Sequence, residues 1–171
     1  ISTDFNQTRL PDGRIRLETK EGEIYFLEQI KDPDSPSIDS VHVLLNEEFE
    51  PQEIEDKDTT RNSLREAQNP KSEGFTTIFS VTDKEGKTVG MINGSYLPPH
   101  REASGQLNEG MFFVGYIVVN QDLRKKGLGA ILYQSAIQNA DEMAAGRNEH
   151  LGMIGGEWVK RVERTANQFG V

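Results

Sequence analysis

The sequence predicts a mixed α/β domain built around one sheet, and three observations carry that reading. Residues 111–119 (MFFVGYIVV) form a continuous apolar run, as a central strand buried on both faces requires. Behind it, Leu128, Ile131, Leu132, Ala136, Ala140, Met143 and Ala144 recur with the 3.6-residue period of a helix. Ahead of it, residues 75–81 and 89–93 alternate with period two on either side of Asp83-Lys84-Glu85-Gly86-Lys87, a hairpin signature.

In chain order, residues 1–23 are polar, with turns at Pro11-Asp12-Gly13 and Glu21-Gly22. Between those turns, residues 14–17 alternate as a half-exposed strand does, so this stretch reads as an N-terminal extension or extra strands. Residues 24–27 (IYFL) are a first core strand. The breaker cluster Asp32-Pro33-Asp34-Ser35-Pro36 leads into a helix over about residues 37–48, with Ile38, Val41, Leu44 and Leu45 on one face. Residues 47–58 (EEFEPQEIEDKD) hold seven acids and one lysine. They read either as a solvated loop with acids near a helix start or as a negative rim that attracts an amine. Thr59 or Thr60 is expected to cap a second helix through Ala67, which Asn69-Pro70 ends. Residues 97–110 are loop-like. The helix from Leu128 is expected to stop at Gly146, a strand to follow over 150–154, and another helix to begin in 157–169. The strand at 111–119, its helix and the next strand make a right-handed βαβ unit over residues 111–155.

Composition narrows the function. The chain has 171 residues and no cysteine, which excludes disulfide scaffolds, cysteine zinc sites and a cysteine nucleophile. His42, His100 and His150 lie too far apart in sequence for metal-ligand spacing, so no metal is expected. A net charge of −9 argues against a nucleic-acid partner. No apolar stretch approaches ~18 residues, so no membrane partner is expected. The first residues lack the build of a signal peptide, which makes the cytoplasm the default location.

One segment carries chemistry. The buried strand ending Ile117-Val118-Val119 runs into Arg124-Lys125-Lys126-Gly127-Leu128-Gly129-Ala130, a basic glycine-bearing turn that opens a helix. A first helical turn leaves backbone N–H groups without partners and carries positive potential, so it favours an anion. Gly127 and Gly129 let the backbone approach a bulky phosphate. A solvated strand-to-helix turn is the plain alternative. Neither GxxxxGK[ST] nor GxGxxG occurs here, because Leu132 stands in the third glycine slot.

The stretch VVNQDLRKKGLGAIL resembles motif A of the GNAT superfamily of N-acetyltransferases, roughly V-x-P-x-x-R/Q-x-x-G-x-G/A after a hydrophobic strand. Val119, Arg124, Gly127 and Gly129 fall on it in register, with Gln121 where proline is common. Element order over about residues 24–156 is similar too. The resemblance implies a twisted mixed sheet flanked by helices, with residues 24–171 as the acyltransferase domain. The family's sheet usually has two more strands at its end. Either those are missing here or residues 1–22 fill their place.

The resemblance further implies acetyl-CoA, or another acyl-CoA, as donor. Amides from Arg124 to Gly129, with Leu128 and Ala130 alongside, would hold its pyrophosphate. Lys125 or Lys126 would approach a CoA phosphate, and backbone groups of Ile117, Val118 and Val119 would pair with the pantetheine arm. A small-molecule amine or a lysine side chain would attack the thioester directly, with the Val119 amide polarising the carbonyl. Whether the protein forms a homodimer is left open. Many family members place a glutamate six residues before the strand's last valine; Phe113 holds that slot. Glu109 and Glu157 remain as candidate bases, and Tyr116 or Tyr133 as acids toward the thiolate, each with an ordinary surface or packing role as the alternative. A family tyrosine near the end of the following helix would fall on Ala166. Trp158 reads as a core residue. The competing reading is a non-catalytic CoA-binding or interaction module that keeps the cradle without base or acid. A nucleotide-phosphate binder using the same helix start is a third.

Overall fold

The computed structural model describes residues 4–72, 74–99 and 109–156. Seven strands form one sheet in sequence order: β1 (Phe5–Arg9), β2 (Ile15–Thr19), β3 (Ile24–Gln29), β4 (Phe75–Asp83), β5 (Thr88–Leu97), β6 (Gly110–Val119) and β7 (Leu151–Gly156). Neighbours pair antiparallel except β6 and β7, which are parallel and joined by the helix α3 (Leu128–Gly146). Helices α1 (Ser37–Glu48) and α2 (Lys57–Ala67) connect β3 to β4. The mixed α/β class, the hairpin and the strand–helix–parallel strand unit all appear as the sequence predicts.

Alternation along the strands sorts their side chains into two cores. Met91 and Val118, with Ile78, pack against Ile38, Val41, Leu44 and Leu45 of α1 and Leu64 of α2. Their neighbours Ile92, Ile117 and Val119 pack with Leu128, Ile131, Leu132 and the alanine stripe of α3. The sheet is thus sandwiched, with α1 and α2 on one face and α3 on the other. Leu17, Tyr25 and Leu27 extend the α3-side core to the strands before α1.

The β5–β6 pair is irregular where it matters most. Asn93 lies opposite Tyr116 but Gly94 lies opposite Val114, so Gly115 is an extra residue on β6. Backbones crowd there: a Cβ on Gly94 would fall 2.4 Å from the Phe112 ring and 2.8 Å from the Phe113 carbonyl. The bulge restores the alternation, placing Phe112 and Val114 on the same face as Ile117 and Val119.

The edge strand, the α2 cap and the end of α3 show what sets these boundaries. Strand β1 lies in the stretch read as an N-terminal extension or extra strands; FNQTR offers one apolar side chain, and Phe5 alone is buried and anchors this edge. Helix α2 starts before Thr59, because Asp56 is its cap, accepting from the Thr59 amide at 2.8 Å. Helix α3 ends with Gly146, at the stop the sequence places there. Its reversal comes at Asn148, with φ of 54°, where the Glu149 amide reaches back to the Ala144 carbonyl at 2.8 Å. Glu157, Trp158, Ala166 and the expected helix in 157–169 lie outside the described residues, as do residues 100–108 of the loop.

Candidate active site

The turn between β6 and α3 is built in three steps. The Asn120 amide donates to the Val89 carbonyl at 2.7 Å, closing the β5–β6 ladder. The Asn120 side chain then accepts from the Asp122 amide at 3.0 Å and caps one 3-10 turn, Gln121–Leu123. Finally Lys125 and Gly127 take left-handed φ of 68° and 90°, and α3 begins. Gly127 caps α3 without a side chain, and no acid stands in the first helical turn. The Ile131 amide makes the bond to the Gly127 carbonyl at 3.1 Å. The amides of Leu128, Gly129 and Ala130 come before it and are the helix's unpaired first-turn donors. Asp56 fills that role at α2; here the same positive end is open to an external anion.

The three basic side chains of the turn have separate fates. Arg124 donates from Nε to the Val119 carbonyl at 3.1 Å and from its terminal nitrogen to Glu48 at 3.1 Å, with both side chains mostly buried. It staples the turn to the end of β6 and to the last turn of α1. Lys126 pairs with Glu23 of β3's approach at 2.6 Å. Hydrogen bonds from Lys126, first, and from Tyr25 hold the Glu23 carboxyl below the usual carboxylate range. Lys125 makes no ion pair among the described residues. With Lys20, Thr19, Asp4 and the Lys126–Glu23 pair, it lines an open groove of about 410 Å³ beside the turn.

The free edge of β6 leads into this turn. β7 pairs with β6 from Gly110 only as far as Val114. Residues 115–119 have no partner on that side among the described residues. Hydrogen-bonding direction alternates along a strand, and Asn120 points to β5. The N–H and C=O of Val119 and Ile117 therefore face the open edge, while Val118, opposite Met91, faces β5. Of the three residues expected to meet the pantetheine arm, the geometry presents two.

The candidate acid and bases lie elsewhere. The Tyr116 hydroxyl donates to the Glu53 carbonyl at 2.6 Å and accepts from the Glu55 amide at 2.9 Å. It ties the acidic segment to β6 beside the bulge and has its proton engaged. Glu109 is exposed and sits 3.9 Å from the His150 imidazole. It precedes β6, ten residues before Val119, ~33 Å at ~3.3 Å per residue. The structure does not bring it to the turn. Burial raises the Tyr133 hydroxyl above its ordinary value. Glu157 is outside the described residues. The acidic stretch is partly structural: Glu48 meets Arg124, Asp56 caps α2, Glu53 accepts from the Glu50 amide, and Glu55 accepts from Thr60.

Sequence reasoning missed Glu23 and Glu48 as partners of the turn. Sequence separations of 103 and 76 residues leave no local signal for either pair. Among the described residues no group of His, Asp and Glu could hold a metal ion, and no helix is long and apolar enough to cross a membrane.

A model of the Acetyltransferase (GNAT) family matches residues 38–153. The chain belongs to this family. Solved structures agree on the fold. An aminoglycoside N-acetyltransferase, AAC(6')-Iy, in complex with CoA, aligns with TM-score 0.55 and 14% identity, over 89% of this chain and 90% of its own. An acetyltransferase of Trypanosoma brucei aligns with TM-score 0.53 and 16% identity, over 86% and 92%. An aminoglycoside acetyltransferase from an uncultured soil metagenomic sample aligns with TM-score 0.53 and 14% identity, over 78% of each chain. No curated protein matches the sequence. In this GNAT-family chain the start of α3 has no side-chain cap, no acid in its first turn, and left-handed backbone at Lys125 and Gly127.

Proposed function

We propose that the protein transfers an acetyl group from acetyl-CoA to a primary amine by direct attack. The observation that carries this reading is the uncapped start of α3 at the end of a half-free β6 edge. Amides of 128–130 would hold the pyrophosphate, and Lys125, which makes no ion pair among the described residues, would meet a further phosphate. The edge groups of Ile117 would pair with the pantetheine arm as an added strand does, while the Val119 carbonyl holds Arg124. The Val119 amide, turned to that edge, is the donor we assign to the thioester carbonyl. Positioning supplies most of the acceleration. The acceptor would come from the α1–α2 side, where Tyr116 holds the acidic segment against β6.

A non-catalytic CoA-binding module is the competing reading. What favours it is that the Tyr116 hydroxyl is engaged and Glu109 is remote. Calorimetry with acetyl-CoA, CoA and ATP tests the ligand class. We expect CoA to bind, ATP not to, and Gly129→Glu to abolish binding while the fold survives, because a carboxylate would face the pyrophosphate. Binding of ATP without CoA would overturn the reading. Thiol release with polyamines, amino acids, aminoglycosides and lysine peptides then separates enzyme from module.

A further inference from the structure

On the α3 side of the sheet, the strands before α1 reach past the helix. α3 packs over β4, β5, β6 and β7. Between it and β2–β3 lies a groove of about 500 Å³, a size that suits a small organic molecule. Its floor is apolar. Ile15 of β2, Leu27 of β3 and Phe79 of β4 belong to the α3-side core, and Ile15 and Phe79 are only partly buried. One wall is α3, where Ser135, Gln138, Asn139 and Glu142 recur at the spacing of a single helix face. The other is the β1–β2 hairpin. Arg9 lies directly opposite Ile15 and shares its face of the sheet.

Charge sorts the lining. Arg14 and Asp12 cancel: they pair at 2.8 Å, and the guanidinium lies over the Phe26 ring. Glu28 accepts from the Ser37 hydroxyl at 2.7 Å, which draws its carboxylate to the start of α1 on the other face. Glu142 accepts from Gln138 within α3 at 3.1 Å. Arg9 and Lys31 are exposed and make no ion pair among the described residues. Those two cations against Glu142 leave the groove positive, in a chain of net charge −9. Asn139 adds a donor: its Oδ1 accepts from the Thr77 hydroxyl at 2.9 Å, so its N–H groups remain for another acceptor.

We propose that this groove binds an arylcarboxylate, a monoanion with a flat apolar body. The carboxylate meets the Arg9 guanidinium under the potential of Lys31, and the ring rests on Phe79 and Ile15. A guanidinium grips a carboxylate through two parallel N–H···O bonds, and a ring on Phe79 gains an offset stack. The inference stands apart from the acetyl-transfer reading, because the groove meets α3 about two turns past its open start.

Phenylacetate is the probe, titrated into the ¹⁵N-labelled protein and followed by backbone amide shifts. We expect saturable shifts at Ile15, Gln29 and Phe79 and along residues 135–142. Acetate has the charge without the ring, and phenethylamine has the ring with the opposite charge; neither should saturate these shifts at the same concentrations. Arg9 is exposed and unpaired, so Arg9→Glu should fold as the wild type does and raise the phenylacetate dissociation constant at least about tenfold. CoA added to the phenylacetate-bound protein should leave the groove shifts in place. The proposal is overturned if phenylacetate shifts no amide of the groove, if acetate or phenethylamine shifts them equally, if Arg9→Glu leaves the dissociation constant within twofold, or if CoA displaces the probe.

Discussion

Arg124 shows how much of a ligand turn is self-assembly. Its guanidinium bridges the Val119 carbonyl and Glu48, so its positive charge is spent holding protein together. Arg124→Ala would leave Glu48, whose side chain is 15% exposed, without its cation. We expect a loss of about 1–3 kcal/mol in chemical denaturation. Arg124→Lys should recover only part, since an ammonium cannot reach both acceptors in one plane. A double-mutant cycle with Glu48→Gln measures the coupling; additive losses would show that the two side chains act separately. Lys125→Ala should weaken CoA in a salt-dependent way without changing stability, because Lys125 has no ion pair among the described residues.

At the scale of elements, the glycines of β5 and β6 set the geometry of the edge. Gly94→Ala would push a methyl group into the Phe112 ring and the Phe113 carbonyl, which fix the bulge at Gly115. We expect a destabilisation of about 1–3 kcal/mol, read by thermal melting, with CoA affinity reduced as the edge shifts. An unchanged melt would mean the strands separate easily there. The turn itself was legible in the sequence, since Val119, Arg124, Gly127 and Gly129 sit at fixed local spacing and local chemistry determines a helix start. So were α1 and α3, whose apolar stripes are periodic. What was not legible depends on the sheet. Which of Ile117, Val118 and Val119 face the open edge follows from the hydrogen-bond phase at Asn120, and that phase is set by the partner strand. β1 was legible only as one alternative for residues 1–23, because an edge strand needs backbone partners more than apolar side chains.

The whole molecule should respond to pH in distinct ranges. Asp12, Glu23, Asp39 and Asp56 are held below the usual carboxylate range by hydrogen bonds, from Arg14, Lys126, Lys57 and Thr59 in turn. The unfolded chain then binds more protons than the native one. Stability from these groups is full above their ordinary values near ~4 and is lost as pH falls through the lowered native values. His42 has the same sign at a higher range, so its contribution starts to fall as pH drops below ~6.5. Denaturation curves should therefore show a loss that begins below pH ~6.5 and that His42→Gln removes, followed by a carboxylate loss that it does not. At the alkaline end the sign reverses. Burial and Glu149 push the Tyr96 hydroxyl up to about 12, and its contribution is lost as pH rises above ~10 toward that value.

The most direct test of the ligand site is a map of backbone amide shifts as CoA is added to the ¹⁵N-labelled protein. We expect the largest changes at the amides of residues 126–130 and at Ile117 and Val119. Changes gathered instead in the polar groove between α3 and β2–β3, lined by Arg9, Arg14, Lys31 and Gln138, would contradict it.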